Sequence, residues 1–148
     1  TLKRQTGNTA SEMQLSLRYQ HGTGYLAPYF DGLLEGKALA SRCPGCGKTW
    51  FPPKAVCPDD RMQTVWSEIS GDGVVVSTTS VRTRLPFTEA AGDYRFVVVA
   101  MDETENAVFG RMQTGDANIA AGTRVRLVAP IGELGHPAQA VQFKIQGE

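Results

Sequence analysis

The chain has 148 residues, 41% of them hydrophobic, with 15 basic and 15 acidic side chains and a formal net charge of zero. That length suits one domain of ordinary size, or one domain with a small appendage, and the apolar share is enough for a real core. Up to residue 60 there are 7 basic and 5 acidic residues, and beyond it 8 and 10, so neither part is built to neutralise many phosphates. No apolar run reaches the length of a membrane span and no basic-then-apolar leader is visible, so neither membrane nor nucleic acid is an expected partner.

Residues 1–7 are polar, and a frayed end is expected there. From Asn8 a helix start can be read, with Thr9 or Ser11 as its cap and Met13, Leu15 and Leu17 following. This predicts a short helix over residues 11–20, broken by His21-Gly-Thr-Gly24. Over residues 25–40, Tyr29, Phe30, Leu33 and Leu34 form one apolar helical stripe, and Gly36 ends the turn. The stripe can lie on its own domain. A short helix ahead of a small ribbon has little core to cover, so Tyr29 and Phe30 are equally candidates for contact with a partner subunit.

Residues 43–60 hold all three cysteines, as Cys43-Pro-Gly-Cys46-Gly47 and Cys57-Pro-Asp-Asp60. Two such knuckles facing each other would make a four-ligand metal site, with a carboxylate in place of the fourth thiolate. Gly47 lets the chain turn tightly, so that backbone N–H groups can point at the sulfurs. Three thiolates and one carboxylate suit tetrahedral Zn²⁺ in a closed structural site, whereas iron in a rubredoxin-like site wants four thiolates. Cys43, Cys46, Cys57 and Asp60 are the expected ligands, Asp59 is a rival for the fourth place, and a ribbon that keeps its packing without metal is the alternative. A redox role is disfavoured, because Gly47 and Pro52-Pro53 forbid the long helix that a reactive Cys-x-x-Cys opens. Cysteines clustered at metal spacing indicate a reducing compartment, and the cytoplasm is expected. Trp50, Phe51 and Val56 are the expected ribbon core, with Val65 and Trp66 leading out.

From Ile69 the period changes to strands. Residues 74–81 are a β-branched run, residues 82–93 a loop and residues 95–101 a second strand. Asp102-Glu-Thr-Glu-Asn106 turns into a third over residues 107–112. Residues 115–122 are short and helix-compatible. Residues 123–129 alternate, Val125 and Leu127 against Arg124 and Arg126, and residues 139–145 set Val141, Phe143 and Ile145 against Gln142 and Lys144. Five strands, with a long loop after the first and a small helical element between the third and fourth, predict a five-stranded OB-fold barrel; a sandwich usually has seven. The expected fold is therefore mainly β: an N-terminal helical segment (1–40), a rubredoxin-like zinc ribbon (41–67) and an OB-fold domain (68–148).

In this order the motifs resemble a known family. They are Tyr29-Phe-Asp-Gly-Leu-Leu-Glu35-Gly36-Lys37, Cys43-Pro-Gly-Cys46-Gly47, Phe51-Pro-Pro-Lys54 before Cys57-Pro58, and Trp66-Ser-Glu-Ile-Ser-Gly71-Asp-Gly73. The family is the zinc-ribbon plus OB-fold accessory proteins encoded with thiolase-superfamily enzymes. The resemblance runs from about Gly24 to the C-terminal end and departs at Asp60, where the family's pattern places a fourth cysteine. It implies a non-catalytic subunit that docks on a thiolase-like catalytic dimer, as a heterotetramer, and helps shape the path of a CoA thioester. The partner would be a thiolase, an aldolase-type lyase or an acyltransferase. Arg82 and Arg84 are candidates for a CoA phosphate or a partner's acidic rim, or are the solvated face of a strand.

The residues themselves are consistent with chemistry done elsewhere. A thiolase needs a reactive Cys with His partners, while here the cysteines are committed to the ribbon and His21 and His136 fall in expected loops. Two other readings compete. A nucleic-acid-binding OB protein would draw on Arg82, Arg84, Arg95, Arg124 and Arg126, opposed by the acidic turn at residues 102–105. A hydrolase with an open zinc site would need a Glu proton carrier in a His-x-Glu pattern, which this chain lacks.

Overall fold

The computed structural model describes residues 13–86, 88, 91–113 and 119–147, and the backbone of residues 2–5 and 8–11. Strands β1 (Leu2–Gln5) and β2 (Asn8–Ser11) pair antiparallel. The helix expected over residues 11–20 does not form: Ser11 ends β2, and residues 13–20 are exposed and without regular structure. The reason lies in the pattern. Met13, Leu15, Leu17 and Tyr19 alternate with polar residues, a period of 2 that no helix can gather on one face. The single α-helix among the described residues, α1 (Ala27–Leu34), carries the expected stripe. Pro28 opens it, where a missing N–H costs nothing.

The chain then enters a three-stranded sheet, ordered β4 (Thr49–Trp50), β3 (Ala38–Arg42), β5 (Val65–Ile69). β3 spans the junction between the helical segment and the ribbon, and β5 occupies residues expected to be a lead-out. Beyond it, β6 (Asp72–Arg84), β7 (Ala91–Met101), β8 (Ala107–Met112), β9 (Arg124–Val128) and β10 (Gln142–Ile145) close a barrel. Its order is β9-β6-β7-β8-β10 and back to β9, with β8 and β10 parallel. This is the five-stranded OB-fold. The helix-compatible stretch at 115–122 falls partly outside the described residues; from Ala120 a turn leads into β9.

Alternation builds the barrel interior: Val97, Val99 and Met101 of β7, Val108 and Met112 of β8, and Val125 and Leu127 of β9 are buried. Gln142 departs from the pattern. Read as an outward residue, it is wholly buried, and both ends of its amide are used. Its Oε1 accepts from Ile131 N (2.9 Å) and Gln113 Nε2 (3.0 Å), and its Nε2 donates to the carbonyls of Ile131 and Gln139 (3.2 Å each). The side chain thus clamps the β9–β10 connection to the barrel, at a depth that an unsatisfied amide could not occupy.

Ribbon and barrel share one core. Tyr29, Leu33, Ala38 and Phe51 join the barrel residues in a single buried cluster. Asn106, after the β7–β8 turn, accepts from Phe51 N (3.1 Å) and donates to Phe51 O (2.8 Å), the pattern of a paired strand residue. The ribbon is therefore held at a set angle on the barrel.

Candidate metal centre

The two knuckles are copies of one backbone shape. In the first, Cys43 N donates to Lys48 O (2.8 Å) and Gly47 N to Cys43 O (3.0 Å). In the second, Cys57 N donates to Met62 O (2.9 Å) and Arg61 N to Cys57 O (3.0 Å). The repeat extends to the dihedrals: Gly47 has φ +75° and Arg61, its counterpart, φ +60°. In this correspondence Asp60 stands where Cys46 stands. The fourth position is thus an aspartate by geometry as well as by spacing.

The donor atoms of Cys43, Cys46, Cys57 and Asp60 all lie within 4.8 Å of one another. Cys46 and Cys57 sulfurs are 3.7 Å apart, and Cys43 Sγ donates to Asp60 Oδ2 (3.0 Å) and Oδ1 (3.3 Å). A tetrahedral ion with thiolates at about 2.3 Å sets its sulfurs about 3.8 Å apart, and a carboxylate oxygen about 3.5 Å from each. The cluster therefore fits zinc in size, number and softness of donors. Three of its four donors are sulfur, which disfavours magnesium or calcium.

Local structure holds the site in place. The amides of Cys46 and Gly45 point at the Cys43 sulfur, and Met62 N donates to Asp60 Oδ1 at 3.0 Å. A side chain at Gly45 would place its Cβ 2.5 Å from Asp60 Oδ2 and 2.6 Å from Met62 Sδ, so it would push the Asp60 carboxylate out of the cluster. Asp59, the rival ligand, pairs with Lys48 instead. Burial, then the Asp60 carboxylate, push the Cys43 thiol up to about 11. The same hydrogen bond, seconded by the Met62 amide, holds the Asp60 carboxyl below the usual range. Trp50 packs with buried Cys43 and Cys57 beneath the site, with Lys54 Nζ 5.7 Å from its ring centroid. Phe51 belongs to the main core, and Val56, expected inside, is 53% exposed. A ribbon this thin has room for one large ring under the knuckles.

The other expected contact residues do not gather. Tyr29 is turned inward, 5% exposed and edge-on to Phe51, and burial pushes its hydroxyl up to about 12. It is a core residue and not a surface contact, because the helix stripe found a core in the joined ribbon and barrel. Phe30 is half-buried against the same cluster. Arg82 and Arg84 stand exposed on the far end of β6, where β6 and β7 run past the barrel as a two-stranded arm. Arg82 lies 4.0 Å from Asp93. Two other arginines are engaged: Arg124 is bidentate to Asp102 (2.7 and 2.6 Å) and Arg126 to Asp72 (2.6 and 2.9 Å). This depletes the basic face that a nucleic-acid reading requires.

A rubredoxin-like ribbon with a four-donor centre, packed on a closed OB barrel, defines the class of protein. Residues 30–61 match the ChsH2 rubredoxin-like zinc ribbon domain and residues 66–129 the ChsH2 C-terminal OB-fold domain, together about two thirds of the chain. The chain belongs to the ChsH2 family of zinc-ribbon plus OB-fold proteins. Solved structures that share its fold include these two. One is described as the Ltp2-ChsH2(DUF35) aldolase (TM-score 0.64, 19% identity, 86% of this chain and 98% of that one). The other is a DUF35-family protein of unknown function from Sulfolobus solfataricus (TM-score 0.60, 17% identity, 84% and 87%). No curated protein sequence matches the chain. No helix among the described residues is long and apolar enough to cross a membrane.

Proposed function

We propose that this chain is a non-catalytic accessory subunit of a thiolase-superfamily enzyme acting on a CoA thioester in the cytoplasm, with structural zinc held by Cys43, Cys46, Cys57 and Asp60. The observation that carries the proposal is the composite itself: the ChsH2-type ribbon and barrel on one core, alongside a solved neighbour described as an aldolase pair. That neighbour favours a partner of the aldolase kind over a thiolytic or acyl-transferring one. The three cysteines lie together in the ribbon. Of the two histidines, His136 accepts from Ala138 N to cap a turn, and His21 lies on the exposed stretch before α1. A zinc closed by four protein donors has no position left for water. The protein's contribution is then to bind and shape: the arm with Arg82 and Arg84 reaches toward the partner or the CoA phosphates, and zinc keeps the ribbon rigid on the barrel. Two copies on a catalytic dimer would make a heterotetramer.

The test is affinity isolation of the tagged chain from its native lysate, followed by reconstitution with the thiolase-fold chain that co-elutes. The expected result is a near-stoichiometric complex with one zinc per copy of this chain, whose acyl-CoA turnover needs both subunits. A catalytic chain equally active alone, or the absence of any thiolase-fold partner, would overturn the reading.

A further inference from the structure

The outer face of β7 and β8 carries a run of aromatic rings. Tyr94 stacks on Phe96 (6.1 Å, 27°) and Phe96 on Phe109 (5.2 Å, 22°), and the Arg111 guanidinium lies 5.7 Å from the Tyr94 ring centroid. Phe109 is 61% exposed although it sits mid-strand. Two connections rise over these rings: Leu85 and Pro86 after β6, and residues 136–141 before β10. Between them lies a slot of about 410 Å³, walled by Leu85, Pro86, Phe96, Phe109 and Val141, with Arg111 and His136 as its basic side chains.

The slot is preformed. Gln139 Nε2 donates to Pro86 O (3.1 Å), joining the two connections, while Gln139 Oε1 accepts from Gly135 N (2.8 Å) and Gln142 holds the same segment from below. Arg111 is fixed by donating to Ile131 O at 2.8 Å. In an OB fold this face, between the first and last connections, is where ligands sit. Its chemistry here excludes most of them. A polynucleotide needs many cations, and the slot is lined by one arginine, one histidine and no lysine. An added peptide strand needs a free sheet edge, and the barrel is closed. The volume lies in the range of small-molecule sites, about 300–1,000 Å³.

We infer that the slot is a small-molecule site for a planar, apolar body bearing one anionic or carbonyl group, the rings of Phe96 and Phe109 stacking on the body and Arg111 meeting the acceptor. Under the function proposed above, the natural occupant is the acyl portion of the thioester. The site itself does not depend on that reading, so the two can fail separately.

The test uses the full zinc-loaded chain and two probes of one shape: 1-anilinonaphthalene-8-sulfonate, which carries a charge, and N-phenyl-1-naphthylamine, which does not. Both are expected to bind saturably at one per chain, followed by fluorescence. Ala138 is exposed at the slot wall, so Ala138→Trp fills the space without removing a contact and should weaken both probes more than tenfold with an unchanged urea midpoint. Phe109→Ala should weaken both by about five- to tenfold through lost stacking. Arg111→Gln should weaken the sulfonate alone. Unsaturable binding, or full affinity in both Ala138→Trp and Phe109→Ala, would overturn the inference.

Discussion

Arg61 occupies a backbone position that its counterpart in the first knuckle gives to glycine, and this makes a measurable pair of perturbations. A non-glycine residue in the left-handed region costs roughly 1–2 kcal/mol, while a glycine loses about 0.4–1 kcal/mol more chain entropy on folding. Arg61→Gly should therefore stabilise the protein by about 0.5–1 kcal/mol, since the Arg61 side chain is exposed. Gly47→Ala should destabilise it by a similar amount. A Cβ there would meet only Arg42 Nη2, at 3.8 Å, so the cost is conformational and not steric. The assay is urea unfolding at a fixed free zinc concentration, so that metal linkage is the same for each variant, with the slope unchanged and the midpoints moving in opposite directions. In a thermal scan each step is about 1–4 °C. If both variants move the same way, the two knuckles are not energetically equivalent and the reasoning from their shared shape fails.

Asp60→Ala should lower zinc affinity at least a hundredfold, read by competition with a chelator, and Asp60→Asn should lose less, because it keeps an oxygen donor. Gln142→Leu leaves the Ile131 amide without its partner, while the Ile131 carbonyl keeps its bond from Arg111; a loss of about 1–3 kcal/mol is expected, with faster hydrogen exchange at Ile131. The hydrogen bond from Arg126 holds the Asp72 carboxyl below its ordinary range, and Arg124 does the same for Asp102. Folded-state values below unfolded ones mean stability that is present above about pH 4 and lost as pH falls through the folded values. Asp72 is the more sheltered of the two, 14% against 38% exposed. Asp72→Asn should therefore flatten the acid limb of a stability–pH curve more than Asp102→Asn, both effects being small because the guanidinium partners stand in solvent.

The spacing Cys43-x-x-Cys46 and Cys57-x-x-Asp60, the α1 stripe and the alternation of Val125 and Leu127 were legible because each is a local rule: a knuckle turn, a period of 3.6 and a period of 2. Where two local rules compete, the reading failed. Thr9 and Ser11 read as helix caps, yet the alternation from Met13 to Tyr19 belongs to extended chain, and no neighbouring element covers those side chains. What only the tertiary structure decided rests on contacts between distant segments. Burial of Gln142 depends on Gln113 and Ile131, the pairing of Arg126 on Asp72 across 54 residues, and the placing of Asp60 beside the Cys43 sulfur on the fold of the second knuckle, which leaves Asp59 against Lys48. Tyr29 went inward because Phe51 and the barrel supplied a surface that its own segment lacks. Local sequence by itself determined the two knuckles with their donor types, α1 and the central parts of the five barrel strands; the ends of β6 and β7 and the strands before residue 70 needed their partners. It left open which polar side chains are buried and where the slot lies, because burial and concavity arise when separate elements meet and no single stretch of chain encodes them.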